Sequence, residues 1–549
     1  MLQTRTVKLP RPRFLREWSD PTRRSIQRAF VAGLMASLAA CGSLPQRPLV
    51  RESSTAIPTS NITTLGRIAA QFPQDKGLSG VRALAQSAFS LDARLELIKR
   101  AQVSLDLQYY LLGNDETGRL FLRRLRDAAQ RGVRVRLLLD DLYTASLDPL
   151  LLGLATYLNV EIRLFNPFTF AHSNPLFRYL NFVTDFKRLN HRMHNKLMIA
   201  DGAMAVVGGR NLADEYFLRN SKANFVDFDV LLTGPVVPKL SSSFDAYWNS
   251  AEVYPLRAIV PTVDTPQELR RKFDVAVRPA LAPAPPALPA DDAYGLPPLG
   301  VEIEQNKFHF IRAWADAYAD PPSKADPTRT AADAPELLIR KFVEAVSQAH
   351  SEVQLTSPYF IPGQQGMEDL RELRSRHVKI QILTNSLDSS DEPIVDSSYR
   401  RYRVPMLRMG IQLYELSPHE IKRSRFKLLR TAFGSSRGQL HAKVAIIDRK
   451  TVLVGSMNLD PRSAYLNTEL GVMIRSPKLA DQILVVFNFD SLEGIGGVYR
   501  VELTSDGKAL QWVGTGEDEG KVLKKEPGDG LSMRLRLWFY QHFVPESLL

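Results

Sequence analysis

The sequence predicts an α/β protein of two tandem halves. Each half is a central, mostly β mixed sheet flanked by helices, and the halves are related by a pseudo-twofold axis and share one active site. Three observations predict this. First, a motif of His, one residue, Lys, four residues and Asp occurs twice, as His194-Asn195-Lys196 with Asp201 and as His441-Ala442-Lys443 with Asp448, 247 residues apart. The same interval leads on to Gly208-Gly209-Arg210-Asn211 in one copy and Gly455-Ser456-Met457-Asn458 in the other. Second, longer blocks repeat in the same order. Residues 103–111 match 353–361 at an offset of 250, 133–140 match 378–385 at 245, and 160–167 match 411–418 at 251. Third, each half reads as strand, helix, strand, the pattern of a sheet covered by helices.

The elements follow in order. Residues 103–111 alternate and are rich in β-formers. Residues 116–131 carry Leu120, Leu122, Leu125, Ala128 and Ala129 at helical spacing, and Arg131-Gly132 stops that helix. Residues 133–139 form a short apolar run of the kind buried in a sheet. After each motif His, residues 196–200 and 203–207 predict a hairpin turning at Asp201-Gly202, and residues 444–447 and 451–454 predict its partner turning at Asp448-Arg449. The halves span 66–256 and 336–549. Residues 257–335 form a connection whose Pro/Ala-rich part, 277–300, predicts irregular structure, with a short helix expected at 308–318.

Composition narrows the partners. The net charge is +12, but residues 1–41 alone hold eight Arg or Lys against Glu17 and Asp20, leaving the remainder at +6. That mild charge disfavours nucleic acid and suits anionic headgroups or a phosphate-bearing substrate. Cys41 is the single cysteine, so neither an intrachain disulfide nor a Cys-based metal site can form. The apolar run 29–40 is too short to cross a bilayer as a helix and fits a secretory signal. It ends in Leu38-Ala39-Ala40-Cys41, which resembles a bacterial lipobox. That resemblance implies a lipoprotein signal at 1–41, lipid on Cys41, and a flexible stalk at 42–65. Gly42 is not the Asp associated with inner-membrane retention, so the expectation leans to the outer membrane of a bacterial envelope, with the protein facing the periplasm.

One His, one Lys and one Asn from each half can surround a single phosphodiester without a metal or other cofactor. Breaking that ester needs a nucleophile, a proton donor for the leaving oxygen, and positive charge at the nonbridging oxygens. Of two imidazoles, one neutral ring can attack phosphorus while the other, protonated, serves the leaving alcohol and then activates the incoming one. Lys196 and Lys443 bring charge, and Asn211 and Asn458 bring hydrogen bonds. Each His needs a carboxylate for its other ring nitrogen. Asp201 and Asp448 sit at hairpin turns and read as structural. Tyr109 and Tyr359 match as strand-end aromatics, open to core packing or to lining the cleft. Gly208-Gly209 and Gly455-Ser456 are small, which lets backbone approach phosphate, so Gly209 and Ser456 are substrate-binding candidates. His191 reads as a neighbouring support, and the remaining histidines as surface or packing residues. A basic-aromatic stretch precedes each motif, at 168–187 and 421–437. Each is either a solvated helix with one packed face or a membrane-interface rim that admits lipid. Residues 534–543 could add to that surface.

The paired motifs, each followed by Gly-x-x-Asn, resemble the phospholipase D superfamily over about residues 66–549. Arg192-Met193-His194-Asn195-Lys196, Asp214-Glu215-Tyr216-Phe217, Phe228-Asp229-Val230, Asp320-Pro321-Pro322-Ser323-Lys324 and the closing 545–549 resemble the bacterial cardiolipin synthase C type. The resemblance implies His194 as nucleophile through a phosphohistidine, with His441 as acid and base. It places Glu469 as an orienting carboxylate. Asp227 aligns with Glu469 in the first half, and which of them serves which His stays open. The implied activity is a phosphatidyltransferase making cardiolipin from membrane phospholipids: phosphatidylglycerol, with a second phospholipid as possible donor. A phospholipase D hydrolase releasing phosphatidic acid, a superfamily endonuclease and an inactive membrane-bound scaffold are the alternatives. No protein partner is readable.

Overall fold

The computed structural model describes residues 44, 52–73, 77–169, 172, 174–328, 337–390, 393–417, 437–487, 497–515 and 519–543. The leader with Cys41, nearly all of the second basic-aromatic stretch and the closing residues 545–549 lie outside them. Among the described residues, no helix is long and apolar enough to cross a membrane.

Both halves contain the predicted sheet. In the first, strands Ser104–Tyr109, Arg134–Asp140 and Val160–Phe165 pair in parallel. Leu197–Ala200, Met204–Gly208, Asp229–Thr233 and Ser79–Leu84 add on antiparallel. In the second, Glu352–Thr356, Lys379–Asn385 and Gln412–Leu416 are parallel, and Val444–Ile447, Thr451–Gly455 and Leu470–Arg475 extend the sheet antiparallel. The helix Glu116–Gln130 starts where the Asp115 carboxylate accepts from Gly118 N, at 2.8 Å, and ends before Gly132 at φ 91°.

The connection does more than join the halves. Residues 308–318 are not the expected helix. Ile311–Ala319 is a strand, antiparallel to Ser79–Leu84 through residues 311–313 and to Leu470–Arg475 through residues 314–319, so among the described residues the two sheets run on as one of 18 strands. The alternation of Ile311, Ala313, Ala315, Ala317 and Ala319 with Arg312, Trp314, Asp316 and Tyr318 has period two, and sheet pairing along its whole length outweighs the helix propensity of Ala. The connection's helices are Pro266–Ala276, with a Thr265–Glu268 capping box, and Leu299–Gln305; residues 278–298 are irregular, as expected.

The expected flexible stalk is also different over residues 52–56, which are pinned to the first half. Arg163 donates to Glu52 O at 2.8 Å, Arg136 to Ser54 O at 3.0 Å, and Trp248 Nε1 to Ser54 Oγ at 2.9 Å, while Ala56 N donates to Asp245 at 2.7 Å. Buried guanidinium and indole donors need acceptors, and this strap supplies them.

Among the described residues, three large apolar cores and a small fourth hold the molecule. One fills the first half and one the outer side of the second. The third joins the halves, with Val81, Ile199, Val207 and Leu232 of the first packed with Val444, Val452, Val472 and Ile483 of the second. A shared buried core of this size fixes the halves against one another. The catalytic motifs sit on the strands that border it.

Candidate active site

Both motif hairpins turn as predicted. Asp201 and Gly202 have φ of 53° and 59°, and Asp448 and Arg449 both have 51°, the left-handed pair a tight hairpin requires. The Asp201 carboxylate accepts from the backbone N of Gln102, Val103 and Ser104 at 2.8–3.1 Å, and Asp448 does the same for His350, Ser351 and Glu352 at 2.7–3.2 Å. Each Asp therefore fastens its hairpin to the start of the neighbouring parallel strand. Burial would raise Asp448, but the donors from Ser351, Glu352 and His350 outweigh it and hold its carboxyl at about 2.

The two His loops are crossed. His194 Nδ1 lies 3.0 Å from both oxygens of Glu469, and His441 Nδ1 lies 2.6 Å from Asp227 Oδ2, so each imidazole is oriented by a carboxylate of the opposite half. Backbone follows the same exchange. His194 N donates to Thr468 O at 2.9 Å, Thr468 N to Arg192 O at 2.9 Å, and His441 N to Val226 O at 2.7 Å. Strand Ala223–Val226 also runs parallel to Arg437–Leu440. A carboxylate on Nδ1 fixes the tautomer and leaves Nε2 for chemistry. Lys196 Nζ donates to His194 O at 2.7 Å and Lys443 Nζ to His441 O at 2.5 Å. Asn211 Nδ2 donates to Tyr216 OH at 2.8 Å, and its Oδ1 accepts from Leu111 N at 3.2 Å. Asn458 is buried, and its Oδ1 has no partner among the described residues.

These charges share one field. Burial, with Lys196 and Lys443 adding, pulls His194 down to about 4 against the opposing pull of Glu469. Burial, followed by Lys443, Lys196 and His194, pulls His441 well below its ordinary value. Burial lowers Lys196 to about 7, with Lys443 adding and Glu469 opposing. The site thus crowds buried cationic groups, which disfavours a proton on either imidazole. A phosphate anion would relieve that crowding and draw protons onto the site.

Residues to which the sequence assigned no site role complete the support. Asp140, at the end of Arg134–Asp140, accepts from Met193 N at 2.8 Å and Arg192 Nε at 3.0 Å. Its repeat counterpart Asn385 accepts from Leu440 N at 2.9 Å. The block match at offset 245 contained this pair, and only the loop geometry reveals its use. Asp320 Oδ2 accepts from Glu469 N at 3.0 Å and from Lys324 Nζ at 2.6 Å, so the Asp320-to-Lys324 segment braces the Glu469 loop. The Tyr110 ring stands edge-on to His194 at 4.9 Å and faces Lys196 Nζ at 5.3 Å, while Tyr216 and Phe225 flank His441 at 5.1 and 4.9 Å.

Four substrate-binding candidates fall elsewhere. Tyr109 is wholly buried in the first core, and its OH accepts from Arg94 Nε at 3.3 Å. Alternation along the strand turns Tyr110 to the site instead. Tyr359 is not its counterpart. Gln108 pairs with Leu197 and Thr356 with Val444, the residues after the two motif lysines, so the structural offset is 248 rather than 250 and Leu111 matches Tyr359. Tyr359 packs with Ile361 and Val395. Gly209 makes room for a carboxylate, not for phosphate: a Cβ there would lie 2.1 Å from Asp227 Oδ1. Ser456 Oγ is buried, donating to Glu469 and accepting from Leu470 N at 3.0 Å. Both small residues hold the His-orienting carboxylates. Gly209→Ala should cost about 1–3 kcal/mol of stability through overpacking and, by displacing Asp227, lower turnover about 100-fold. Wild-type turnover in that variant would show that Asp227 need not sit where it does.

His172 is buried, with Nε2 2.6 Å from Asp141 and Nδ1 2.9 Å from Asp148. Burial alone would lower it, but the two carboxylates outweigh burial and raise it to about 9. It ties down the start of helix Pro175–Thr184, which belongs to the first basic-aromatic stretch. This helix and the residues after it expose Leu176, Tyr179, Leu180, Val183 and Phe186, while Phe168 is buried under Arg178. Helix Leu531–Phe543 exposes Leu535, Trp538 and Phe539.

A family model described as "Cardiolipin synthase, PLD-like domain" matches residues 95–248 and 342–490, one segment in each half. Cardiolipin synthase C of Escherichia coli (strain K12) is 36% identical over 475 residues, which cover 84% of this chain and 94% of that protein. An uncharacterized protein of Helicobacter pylori (strain J99 / ATCC 700824) is 33% identical, over 77% of this chain and 81% of its own. Among solved structures, phosphatidylserine synthase of Haemophilus influenzae Rd KW20 shares the fold at 15% identity, with a TM-score of 0.50, covering 79% of this chain and 91% of that one.

Proposed function

The chain belongs to the cardiolipin synthase family of phospholipase D-like proteins, and on that footing we propose that it is a phosphatidyltransferase that joins phospholipids into cardiolipin. The observation that carries this reading is the crossed pair of imidazoles, each held by the opposite half, with two buried lysines beside them. In the proposed reaction, His194 Nε2 attacks the phosphorus of one phospholipid. A P–N bond forms as the P–O bond to the headgroup alcohol breaks, and His441 gives that alcohol its proton. A hydroxyl of phosphatidylglycerol then loses its proton to His441 and attacks phosphorus, the P–N bond breaks, and His194 is restored. Lys196, Lys443 and Asn458 stabilise the nonbridging oxygens in a site largely shielded from water.

Incubating the purified protein with labelled phosphatidylglycerol tests this. Cardiolipin with released glycerol is the expected product. Phosphatidic acid alone would replace the transferase by a hydrolase, and a nicked plasmid without lipid turnover would replace both by a nuclease.

The same reading places the chain on a membrane. The apolar stripe from Leu176 to Phe186 suits the headgroup boundary, where lipid would enter, and Cys41 would carry the lipid anchor at the periplasmic face of the outer membrane. Cys41→Ser should move the protein from the membrane to the soluble fraction; unchanged membrane retention would remove the anchor.

A further inference from the structure

Among the described residues, the second half contains an apolar groove at a place that the first half fills with side chains. It lies between helices Leu338–Ser347 and Gly363–Ser375, with a cavity volume of about 430 Å³, and is lined by Phe342, Val343, Phe360, Leu370 and Tyr465 among others. That volume is in the range of small-ligand sites.

Its origin is a pair of substitutions across the repeat. Val133 N bonds to Ala128 O as Val378 N bonds to Leu373 O, which sets an offset of 245 along these helices and matches Phe121 to Gly366. The motif offset of 247 matches Phe217 to Ala464. In the first half, Phe121 and Phe217 are buried against each other with ring centroids 6.2 Å apart, and helices Ser87–Arg100 and Glu116–Gln130 close over them. In the second half, both rings are missing, and Gly366 and Ala464 line the space they would occupy.

The groove lies close in the chain to a catalytic-motif residue. Its inner wall is Leu459, Asp460 and Pro461, directly after Asn458. A narrower cavity shares Phe342 and Leu459 with it and reaches Met457 and Lys443. At its mouth, Tyr465 is 54% exposed. An apolar slot lined by the residues that follow Asn458 suits a hydrocarbon chain whose glycerol phosphate sits in the proposed site.

We propose that this groove takes one acyl chain of the phospholipid whose phosphate lies between His194 and His441, so the second half holds the tail while both halves hold the head. This rests on the lipid-transfer reading above.

The test uses the full chain with phosphatidylglycerol bearing a photoactivatable diazirine in one acyl chain, in mixed micelles. The main adduct is expected within residues 339–376 or 459–465, which line the groove. Adducts confined to other segments, such as 175–186, overturn the groove. Gly366→Phe restores the first half's ring; a Cβ there meets only Pro362 Cβ, at 3.0 Å, which must give by a few tenths of an ångström. It should lower turnover of dioleoyl relative to dihexanoyl phosphatidylglycerol by about tenfold, the effect of displacing roughly two buried methylenes. An unchanged ratio in a folded Gly366→Phe variant overturns the proposal. Labelling does not depend on turnover, so the two readings fail separately. Groove adducts without any lipid product would leave the groove and sink the transferase, whereas lipid products with adducts elsewhere would do the reverse.

Discussion

His194→Asn and His441→Asn are each expected to lower lipid turnover by about three to four orders of magnitude, and the double variant no further. Both rings serve one phosphorus, so losing either stops the same cycle. Asn is chosen because its amide can keep the hydrogen bond that Nδ1 makes to Glu469 or Asp227, while nothing replaces Nε2. The roles separate by leaving group. A p-nitrophenyl phosphodiester releases an anion stable near neutral pH and needs no proton donor. With it, His441→Asn should give a burst of nitrophenolate, because attack by His194 survives and only the second step lacks its base. His194→Asn should give none. A burst in His194→Asn alone would reverse the assignment, and bursts in both would sink the shared site.

The pH profile carries a sign of its own. His194 works neutral, and its value of about 4 puts the loss by protonation near pH 4 rather than near 6.5. His441 works protonated in the first step and is held well below its ordinary value, so kcat/KM, which reports the free enzyme, should already fall with rising pH below neutrality, ahead of the loss of charge from Lys196 at about 7. A bound phosphate anion raises that lysine, so kcat should persist to higher pH.

Much of this site was legible because its chemistry is local in sequence. The His, Lys and Asn positions and both turn pairs follow from spacing, and so does the structural use of Asp201 and Asp448. The pairing of carboxylates was not legible. Glu469 and Asp227 each act 214 or more residues away, on the other half's His, and two symmetric halves read equally well either way. Alignment by residue type also shifted Tyr359 two places from its true partner, because two aromatic strand ends look alike while hydrogen-bond register decides. Small residues beside a motif suggested phosphate, yet Gly209 and Ser456 make space and a hydrogen bond for carboxylates buried beneath the site. Strand Ile311–Ala319 was missed because alanine-rich alternation is a weak signal until two sheet edges are present to pair with it.

Asp229→Ala is expected to destabilise the protein by about 3–5 kcal/mol, the cost of leaving buried charge unpaired. Asp229 is wholly buried. Its Oδ2 accepts from Ser90 Oγ at 2.6 Å, Arg94 Nη1 at 3.0 Å and Arg210 Nη1 at 2.9 Å. Both arginines are buried as well, so removing the carboxylate strands two guanidinium ions. Gly208 is part of the same arrangement, since a Cβ there would lie 2.0 Å from Asp229 Oδ1. Burial pushes the Asp229 carboxyl up, but Arg94 and Arg210 outweigh it and hold it below 3.8. Its contribution is therefore present above pH 3.8 and is lost as pH falls through the lower folded-state value. Arg210 also donates to Leu84 O, Ala85 O and Asp227 O, so the same ion group fixes the backbone that aims Asp227 at His441. Urea unfolding should show a lowered midpoint for Asp229→Ala. Asp229→Asn should be nearly as damaging, because it keeps the shape and loses the charge. If the Asn variant matched wild type, hydrogen bonding rather than charge pairing would hold this group together. If both variants matched wild type, the two arginines would have to find other acceptors, and the argument from buried charge would fail.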